Sequence, residues 1–288
     1  MSDDDSHDGQ RALVARLFPR VEIRTFAPIG TGWTYDTFDV NGEWIVQLPR
    51  SAYAADRLRA QIELLPELAH ELSALVPVPE LVSLDPPAMA YRRLDGAGLD
   101  EAPDGYWPER MGRFLYDLHM VPPEIVGLRG RPAETVREDV ATELADMAQR
   151  VLPLLEPDER TWFRARFDAY LGEDETWRFA PCLTHGDLGP EHVLVSPTGD
   201  LVGVLDWEEL AVGDPAGDFA WLLHARRTEG ERALAAYGGA PDPAFLRRAR
   251  FAFGLMPFHE VLYGMEAGGE AFVRTGIAGI RERADMTA

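Results

Sequence analysis

Short runs rich in β-branched and aromatic residues fill the first third of the chain, which is the pattern of strands that bury one face. These runs are VEIRTFAPIG, YDTFDVNGEWIVQLPR and LVSLDPPAMAYRRL. Inside the second run, Asn41 and Gly42 predict a hairpin turn, because both residue types tolerate a positive φ. Helical patterns over residues 11–18 and 53–75 accompany the predicted sheet, and the segment VPVPEL ends the second one.

After DGAGLD the pattern changes to long helical stretches. Helices are predicted at 108–120, 133–155, 158–171 and in several segments from 218 onwards. Only residues 193–195 and 201–205 keep strand character there, and the turn SPTGD joins them. The apolar run FAFGLMPFHEVLYGM has helical spacing, which favours a core helix over a cofactor site.

The change of pattern predicts a bilobal α+β fold. Residues 1–94 would form a β-rich first lobe, and residues 95–288 a mainly helical second lobe that contains a small hairpin. Two lobes joined by a short linker leave a cleft, and clefts between domains are favoured ligand sites.

Charge and composition narrow the possible partners. The net charge of −21 disfavours nucleic acid, and no apolar run is long enough to span a membrane. All 28 basic residues are arginine. The acidic balance has two compatible interpretations, a solvated acidic surface or attraction of a cationic substrate. The single Cys182 cannot form an internal disulfide and the N-terminus lacks an apolar signal segment, so we expect a cytoplasmic protein.

The stretch LTHGDLGPEHVLV places ionisable and backbone-shaping residues between two strand-like runs. Antiparallel pairing with the following LVGVLDWEEL can bring Asp187, His192 and Asp206 to one end of a hairpin. A carboxylate that can accept a proton, beside two metal ligands, is what phosphoryl transfer requires. A polar turn is the simplest alternative for the loop alone. A metal hydrolase with His185, Asp187 and His192 as ligands is a second alternative, but it has no use for a glycine-rich phosphate loop.

The same segments resemble a known family. HGDLGPEHVLV, followed by GVLDWEELAVGDPAGDFAWLL, is similar to the aminoglycoside and macrolide phosphotransferases, which are small-molecule kinases with a protein-kinase-like fold. Weaker similarities are PIGTGWTYDTF to the nucleotide-positioning loop, EWIVQLPR to the strand with a basic residue, AYRRLDGAGL to the hinge, and LYDLHMVP to a Leu-His helix end.

The resemblance implies a role for each matching residue of the hairpin. Asp187 would be the catalytic base, Asp206 the main Mg²⁺ ligand and His192 the second ligand. A histidine at position 192 is typical of the macrolide branch, and the alternative is that it only bonds the loop. Three residues would support the loop: His185, Asp214 and Asp218.

The resemblance also implies residues for the nucleotide and the acceptor. The nucleotide would contact Gly30, Thr31, Gly32, Gln47, Tyr91, Arg93 and Leu94, although Gly-x-Gly alone is also compatible with a plain β-turn. Three acids could contact the acceptor: Glu208, Glu209 and Glu260.

One departure from the family pattern concerns the expected ion pair of the first lobe. Gln47 stands at the basic strand position and Gln61 at the acidic helix position, unless the register shifts and Glu63 is the helix partner. Two amides could bond each other. Nucleotide affinity would then depend more on Mg²⁺, the glycine loop and Arg50.

The sequence therefore predicts transfer of the γ-phosphoryl group of ATP or GTP to a hydroxyl of a macrolide, an aminoglycoside or another cationic antibiotic, which would confer resistance by inactivation. A degenerate kinase fold that binds a ligand without turnover, and a kinase of another metabolite, are the alternatives.

Overall fold

The computed structural model describes residues 7–29, 34–72, 76–99, 103–267 and 269–284. The chain divides into two compact units. The first comprises Met1–Gly105, Ile125–Gly127 and Pro190–Glu208, and the second comprises Tyr106–Glu124, Leu128–Gly189 and Glu209–Ala288. The hairpin is thus grouped with the N-terminal unit, whereas the sequence pattern predicts it in the second lobe. The assignment of nucleotide and acceptor to separate lobes, divided at 94/95, stays a prediction.

The strands and helices follow the predicted patterns in type and approximate position. The strands are β1 (Phe26–Pro28), β2 (Tyr35–Val40), β3 (Trp44–Pro49), β4 (Pro79–Leu84), β5 (Pro87–Arg92), β6 (Ala97–Gly98), β7 (Cys182–Thr184), β8 (Val193–Val195), β9 (Leu201–Val204) and β10 (Ala211–Gly213). The helices are α1 (Asp8–Leu17), α2 (Ala52–Glu71), α3 (Trp107–Met120), α4 (Ala133–Arg150), α5 (Pro157–Gly172), α6 (Ala220–Ala225), α7 (Arg227–Ala236), α8 (Phe245–Ala267) and α9 (Glu270–Glu282). The α+β prediction is confirmed.

The first unit contains an antiparallel sheet in the order β1-β2-β3-β5-β4. The predicted turn between β2 and β3 is confirmed, since Asn41 and Gly42 have φ values of 64° and 68°. Its apolar core joins Val14 and Phe18 of the N-terminal segment to Phe38 and Val46 of the sheet. A second, three-stranded sheet has the order β6-β8-β9.

The second unit buries its apolar helix faces against one another. Its largest apolar cluster takes residues from α4, α5, α8 and α9, among them Met147, Phe163, Phe258 and Ile280. The aromatic run of α8 is therefore core, as its spacing predicts. β7, which the strand-like run before HGD indicates, pairs antiparallel with β10, which the periodicity does not indicate, and Leu183 lies opposite Val212. Among the helices of the described residues, none is both long and apolar enough to cross a membrane.

Candidate active site

The β8–β9 hairpin carries two of the predicted site residues to the same end. Val193 lies opposite Val204, and the amide of Leu205 donates to the carbonyl of His192 at 2.8 Å. This register brings Nδ1 of His192 to 3.9 Å from Oδ2 of Asp206. The hairpin therefore places an imidazole beside a carboxylate.

Asp206 has an unusual backbone conformation. Its φ of 64° lies in the left-handed region, where among the described residues Asn41 is the only other non-glycine. Aspartate tolerates this region better than most residues, but the conformation still persists only where its surroundings hold it. Such residues cluster at functional sites, and Asp206 immediately follows β9.

The donor set at this end of the hairpin fits a hard cation that takes its remaining ligands from elsewhere. Mg²⁺ is usually bound by one or two carboxylates together with phosphate oxygens and waters. Asp206 supplies the carboxylate, and the imidazole of His192 is a poorer donor for such an ion. No group of three or more potential metal ligands occurs in the described ranges. The residues therefore fit an ion that is completed by a bound nucleotide.

Glu208 is the centre of a polar network in the first unit. Its Oε1 accepts a hydrogen bond from Oγ1 of Thr34 at 2.9 Å, and its carbonyl accepts one from Nη1 of Arg57 at 3.0 Å. The hydroxyl of Tyr35 accepts a hydrogen bond from Nε2 of Gln61 at 2.9 Å and lies near the carboxylate of Glu208. Burial, reinforced by the charge of Glu208, raises the pKa of Tyr35, so the phenol stays protonated.

The network changes the interpretation of the two amides. Gln61, 3% exposed, donates to Tyr35 and not to Gln47. Oε1 of Gln47 is buried and accepts no hydrogen bond from the residues that the structure describes. The hydrogen bond that the two amides could form with each other is therefore absent among the described residues. Glu63, the alternative helix partner, is exposed on α2.

The other predicted nucleotide residues are placed as follows. Tyr91 is buried in β5, and burial, followed by the charge of Asp206, raises its pKa. Arg93 donates its amide to Glu43 at 2.9 Å and is followed by Leu94. Gly30, Thr31 and Gly32 lie outside the described residues. Arg50 forms an ion pair with Asp36 at 3.0 Å.

In the second unit, Asp218 fixes the backbone of the loop that carries Asp187. Its carboxylate accepts from the amides of His185 and Gly186 at 3.0 and 3.1 Å, and it lies 3.0 Å from Nε2 of His119. Burial alone would raise the pKa of Asp218, but the hydrogen bond and charge of His119 lower it below its usual value. The anion is thereby kept as an acceptor for the loop amides.

Gly186 cannot be replaced without moving this loop. Its φ is 87°, and a Cβ atom there would lie 2.2 Å from the carbonyl oxygen of Glu209. The amide of Asp187 lies 3.4 Å from Nδ1 of the fully buried His185. Gly186, His185 and Asp218 together fix the backbone conformation of the loop that contains Asp187.

Asp214 has a buried cation as its partner. Nε of Arg248 donates to Oδ2 of Asp214 at 2.7 Å, and the guanidinium also forms a bidentate pair with Asp242 at 2.7 and 2.8 Å. Oδ1 of Asp214 accepts the amide of Ala216 at 3.0 Å and so opens the turn that leads to Asp218. Asp214 thus joins the loop anchor to the helical core.

The candidate acceptor acids differ in their surroundings. Glu209 is exposed, and Glu260 accepts a hydrogen bond from the hydroxyl of Thr275. The neighbouring His259 bonds Glu143 through Nε2 at 3.1 Å. Partial burial would lower the pKa of His259, but Glu143, followed by the charges of Asp187 and Glu209, raises it overall. Acidic residues therefore surround a half-exposed imidazole in the second unit.

These features can be compared with known proteins. The model of the phosphotransferase enzyme family matches residues 25–251. The chain belongs to this phosphotransferase family. The match confirms the predicted enzyme class, and solved aminoglycoside and macrolide 2'-phosphotransferases that are 25% and 26% identical to this chain confirm the predicted relation to those enzymes.

Two curated relatives extend the comparison. Viomycin phosphotransferase of Streptomyces vinaceus is 28% identical over 285 residues, which cover 94% of this chain and 98% of the relative. The uncharacterized protein YcbJ of Bacillus subtilis (strain 168) is 30% identical over 202 residues, or 63% of this chain. That match covers 62% of the length of the Bacillus protein.

A solved structure shows the same fold. The GDP complex of wild-type aminoglycoside 2'-phosphotransferase-IIIa has a TM-score of 0.83 at 25% identity, and the match covers 96% of this chain and 97% of that protein. The predicted protein-kinase-like fold is therefore confirmed for this phosphotransferase.

Sequence reasoning missed several residues of the site. Tyr35 stands in a strand pattern, where an aromatic residue normally means packing, and Arg248 stands in the arginine-rich segment RRAR. Tyr237, whose hydroxyl lies 2.9 Å from Nδ1 of His119, gave no signal. The sequence indicated His119 only through the similarity of LYDLHMVP to a Leu-His helix end. A buried side chain and its partner are far apart in sequence, and only the fold joins them.

Proposed function

We propose that the protein transfers the γ-phosphoryl group of a nucleoside triphosphate to a hydroxyl group of a cationic antibiotic. The observation that carries the proposal is the loop that carries Asp187, in which the amides of His185 and Gly186 are held by the buried anion of Asp218. Phosphoryl transfer depends mainly on positioning and electrostatic stabilisation, so a rigidly held carboxylate is the feature it needs.

Each candidate residue then has one task. Asp187 orients the acceptor hydroxyl and accepts its proton. Asp206 and His192 would hold Mg²⁺, and the ion would neutralise charge on the nucleotide phosphates. His185, Asp214 and Asp218 keep the loop in place and do not touch the reacting atoms. Gly30, Thr31 and Gly32 remain candidates for binding the phosphates.

The proposed acceptor rests on the net charge of the protein and on its similarity to a known phosphotransferase. A net charge of −21 favours cationic substrates, and Glu209, Glu260 and Glu143 supply carboxylates in the same unit as Asp187. The relative that acts on viomycin matches over 94% of this chain, so viomycin is the first acceptor to test. The neighbour's GDP complex supports testing GTP beside ATP. His192 keeps a macrolide as the alternative acceptor.

The test is a panel of viomycin, aminoglycosides and macrolides, each incubated with ATP or GTP. Release of nucleoside diphosphate must depend on the antibiotic, and mass spectrometry must find one phosphoryl group on the product. Asp187→Asn serves as the inactive control. If wild-type protein binds a nucleotide but phosphorylates no member of the panel, the acceptor class is wrong.

The alternative functions predict different results. A metal hydrolase would act without nucleotide and would lose activity with a chelator. A degenerate kinase fold would bind a ligand and release no diphosphate. If wild-type protein binds no nucleotide in the presence of Mg²⁺, the kinase proposal fails entirely.

A further inference from the structure

The inference concerns how this chain holds its metal-binding segment without the usual ion pair. In kinases of this fold, a basic strand residue pairs with a helix glutamate and contacts the nucleotide phosphates. Gln47 and Gln61 occupy the corresponding positions, and they do not bond each other among the described residues. Another device must connect α2, the sheet and the Asp206 segment.

The network around Glu208 makes these connections. Thr34, which immediately precedes β2, bonds the carboxylate of Glu208, and the hydroxyl of Tyr35, the first residue of β2, lies near that carboxylate. Arg57 and Gln61 lie one turn apart on α2; Arg57 bonds the carbonyl of Glu208, and Gln61 bonds the hydroxyl of Tyr35. Glu208 thus accepts hydrogen bonds both from the segment that begins β2 and from helix α2.

Fixing Glu208 also fixes Asp206, because only Trp207 separates them. Trp207 is 1% exposed, and its Nε1 donates to the carbonyl of Val204 at 2.9 Å. The segment is therefore anchored at Val204, before Asp206, and at Trp207 and Glu208, after Asp206. Such anchoring is what a left-handed aspartate needs, since a strained residue relaxes when its surroundings release it.

The bonds of the network argue for a positioning role of Glu208. Thr34 is a neutral donor to its carboxylate, and Arg57 bonds its main-chain carbonyl. The carboxylate of Glu208 lies two residues from Asp206, where a nucleotide without a metal would be repelled and a metal-bound nucleotide would not.

We propose that Glu208 is a positioning residue for the nucleotide site: with Thr34, Tyr35 and Arg57 it holds the Asp206 segment in place of the missing ion pair. The inference rests on the proposed function, because it assigns Asp206 to the metal-bound nucleotide. It also moves Glu208 away from the acceptor acids, among which the sequence had placed it.

The experiment measures the binding of non-hydrolysable ATP and GTP analogues by calorimetry, once with Mg²⁺ and once with a chelator. Glu208→Ala should weaken the Mg²⁺-dependent binding about tenfold or more, the range for lost hydrogen bonds to a charged group. Without Mg²⁺, the same variant should bind as wild type does or more tightly, because a repelling charge is gone. Glu208→Gln keeps an acceptor oxygen and should recover to within about threefold.

Two further variants complete the design. Tyr35→Phe removes the hydroxyl that bonds Gln61 beside the carboxylate of Glu208 and should weaken only the Mg²⁺-dependent binding. Glu63→Gln is the matched control, because it makes the same change of carboxylate to amide at an exposed position of α2 and should change neither value. Thermal unfolding of every variant accompanies the binding data. If Glu208→Ala does not fold, Tyr35→Phe and Glu208→Gln decide the question.

Three results would overturn the inference. The first is a Glu208→Ala variant, or a Tyr35→Phe variant if the former does not fold, that binds the Mg²⁺ complex as wild type does. The second is a variant whose nucleotide binding weakens equally with and without Mg²⁺ and whose Tm is lower, which would mean that the residue has a purely structural role. In both cases wild-type protein still binds nucleotide, and the proposed function survives. The third is wild-type protein that binds no nucleotide, which overturns the proposed function and this inference together.

Discussion

Replacing Arg248 with methionine should destabilise the protein far more than the same change at its neighbour Arg247. The side chain of Arg248 is fully buried and pairs with Asp214 and Asp242, whose side chains are 21% and 24% exposed. The side chain of Arg247 is 36% exposed, and its partner Glu173 is 50% exposed. Both positions lie on α8, and both lose an arginine that holds an acid.

The magnitudes follow from burial. Removing one partner of a buried ion pair costs about 3–5 kcal/mol, because the remaining charge is left without compensation. Since both acids retain some exposure, Arg248→Met should lie near the lower end, at about 3 kcal/mol. An exposed pair contributes about 0–1 kcal/mol, which is the loss expected for Arg247→Met. The free energy of unfolding in urea is the measurement, with the m-value as a check on two-state behaviour.

Acidification should reduce the difference between Arg248→Met and wild type. Burial raises the pKa of Asp214 even beside Arg248, and without the guanidinium it rises further. A group with a raised folded-state pKa favours folding below its unfolded pKa of about 3.9 and loses that contribution as the pH rises through the folded value. The variant's penalty is therefore largest near neutral pH. Equal losses for the two arginine variants at pH 7, or a penalty independent of pH, would refute the reasoning.

Four further outcomes are expected. Asp187→Asn should fold normally yet lose about 100-fold or more in kcat, because Asn cannot accept the hydroxyl proton, and a residual rate above about a tenth excludes it as the base. Asp206→Ala should abolish Mg²⁺-dependent nucleotide binding in calorimetry, whereas His192→Asn should retain it because Asn offers an oxygen ligand; an inactive Asn variant would contradict this. His259→Gln should lower stability by less than about 1 kcal/mol below about pH 6.5, since the half-exposed imidazolium loses Glu143. That loss of stability should disappear as the pH rises through the raised pKa of His259. The free energy of unfolding in urea, measured at several pH values, is the test, and a loss that does not disappear would contradict the prediction. The KM for a cationic acceptor should rise between about 0.05 and 0.5 M salt with little change in kcat. If the KM does not change with salt, the candidate acceptor acids are ordinary surface residues that do not attract the substrate.

Local patterns were sufficient to predict much of the fold. Asn41 and Gly42 predicted the β2–β3 turn because a tight hairpin needs residues that accept positive φ, and both adopt it. Leucines at helical spacing predicted α2 because an amphipathic helix buries one face. The hairpin that carries His192 and Asp206 followed from two short apolar runs around a turn. These features depend on neighbours within a few positions, so the sequence alone shows them.

Only the tertiary structure decided the partners of the buried polar groups. Gln61 bonds Tyr35, which lies 26 positions earlier, although the family pattern suggested Gln47. Arg248 is buried against Asp214, which lies 34 positions away, although an arginine in an Arg-rich run would be expected at the surface. A buried polar group must find a partner because desolvation is costly, but which partner it finds depends on how distant segments pack. Sequence periodicity records which side of an element is apolar, and it carries no information about which polar group will face it.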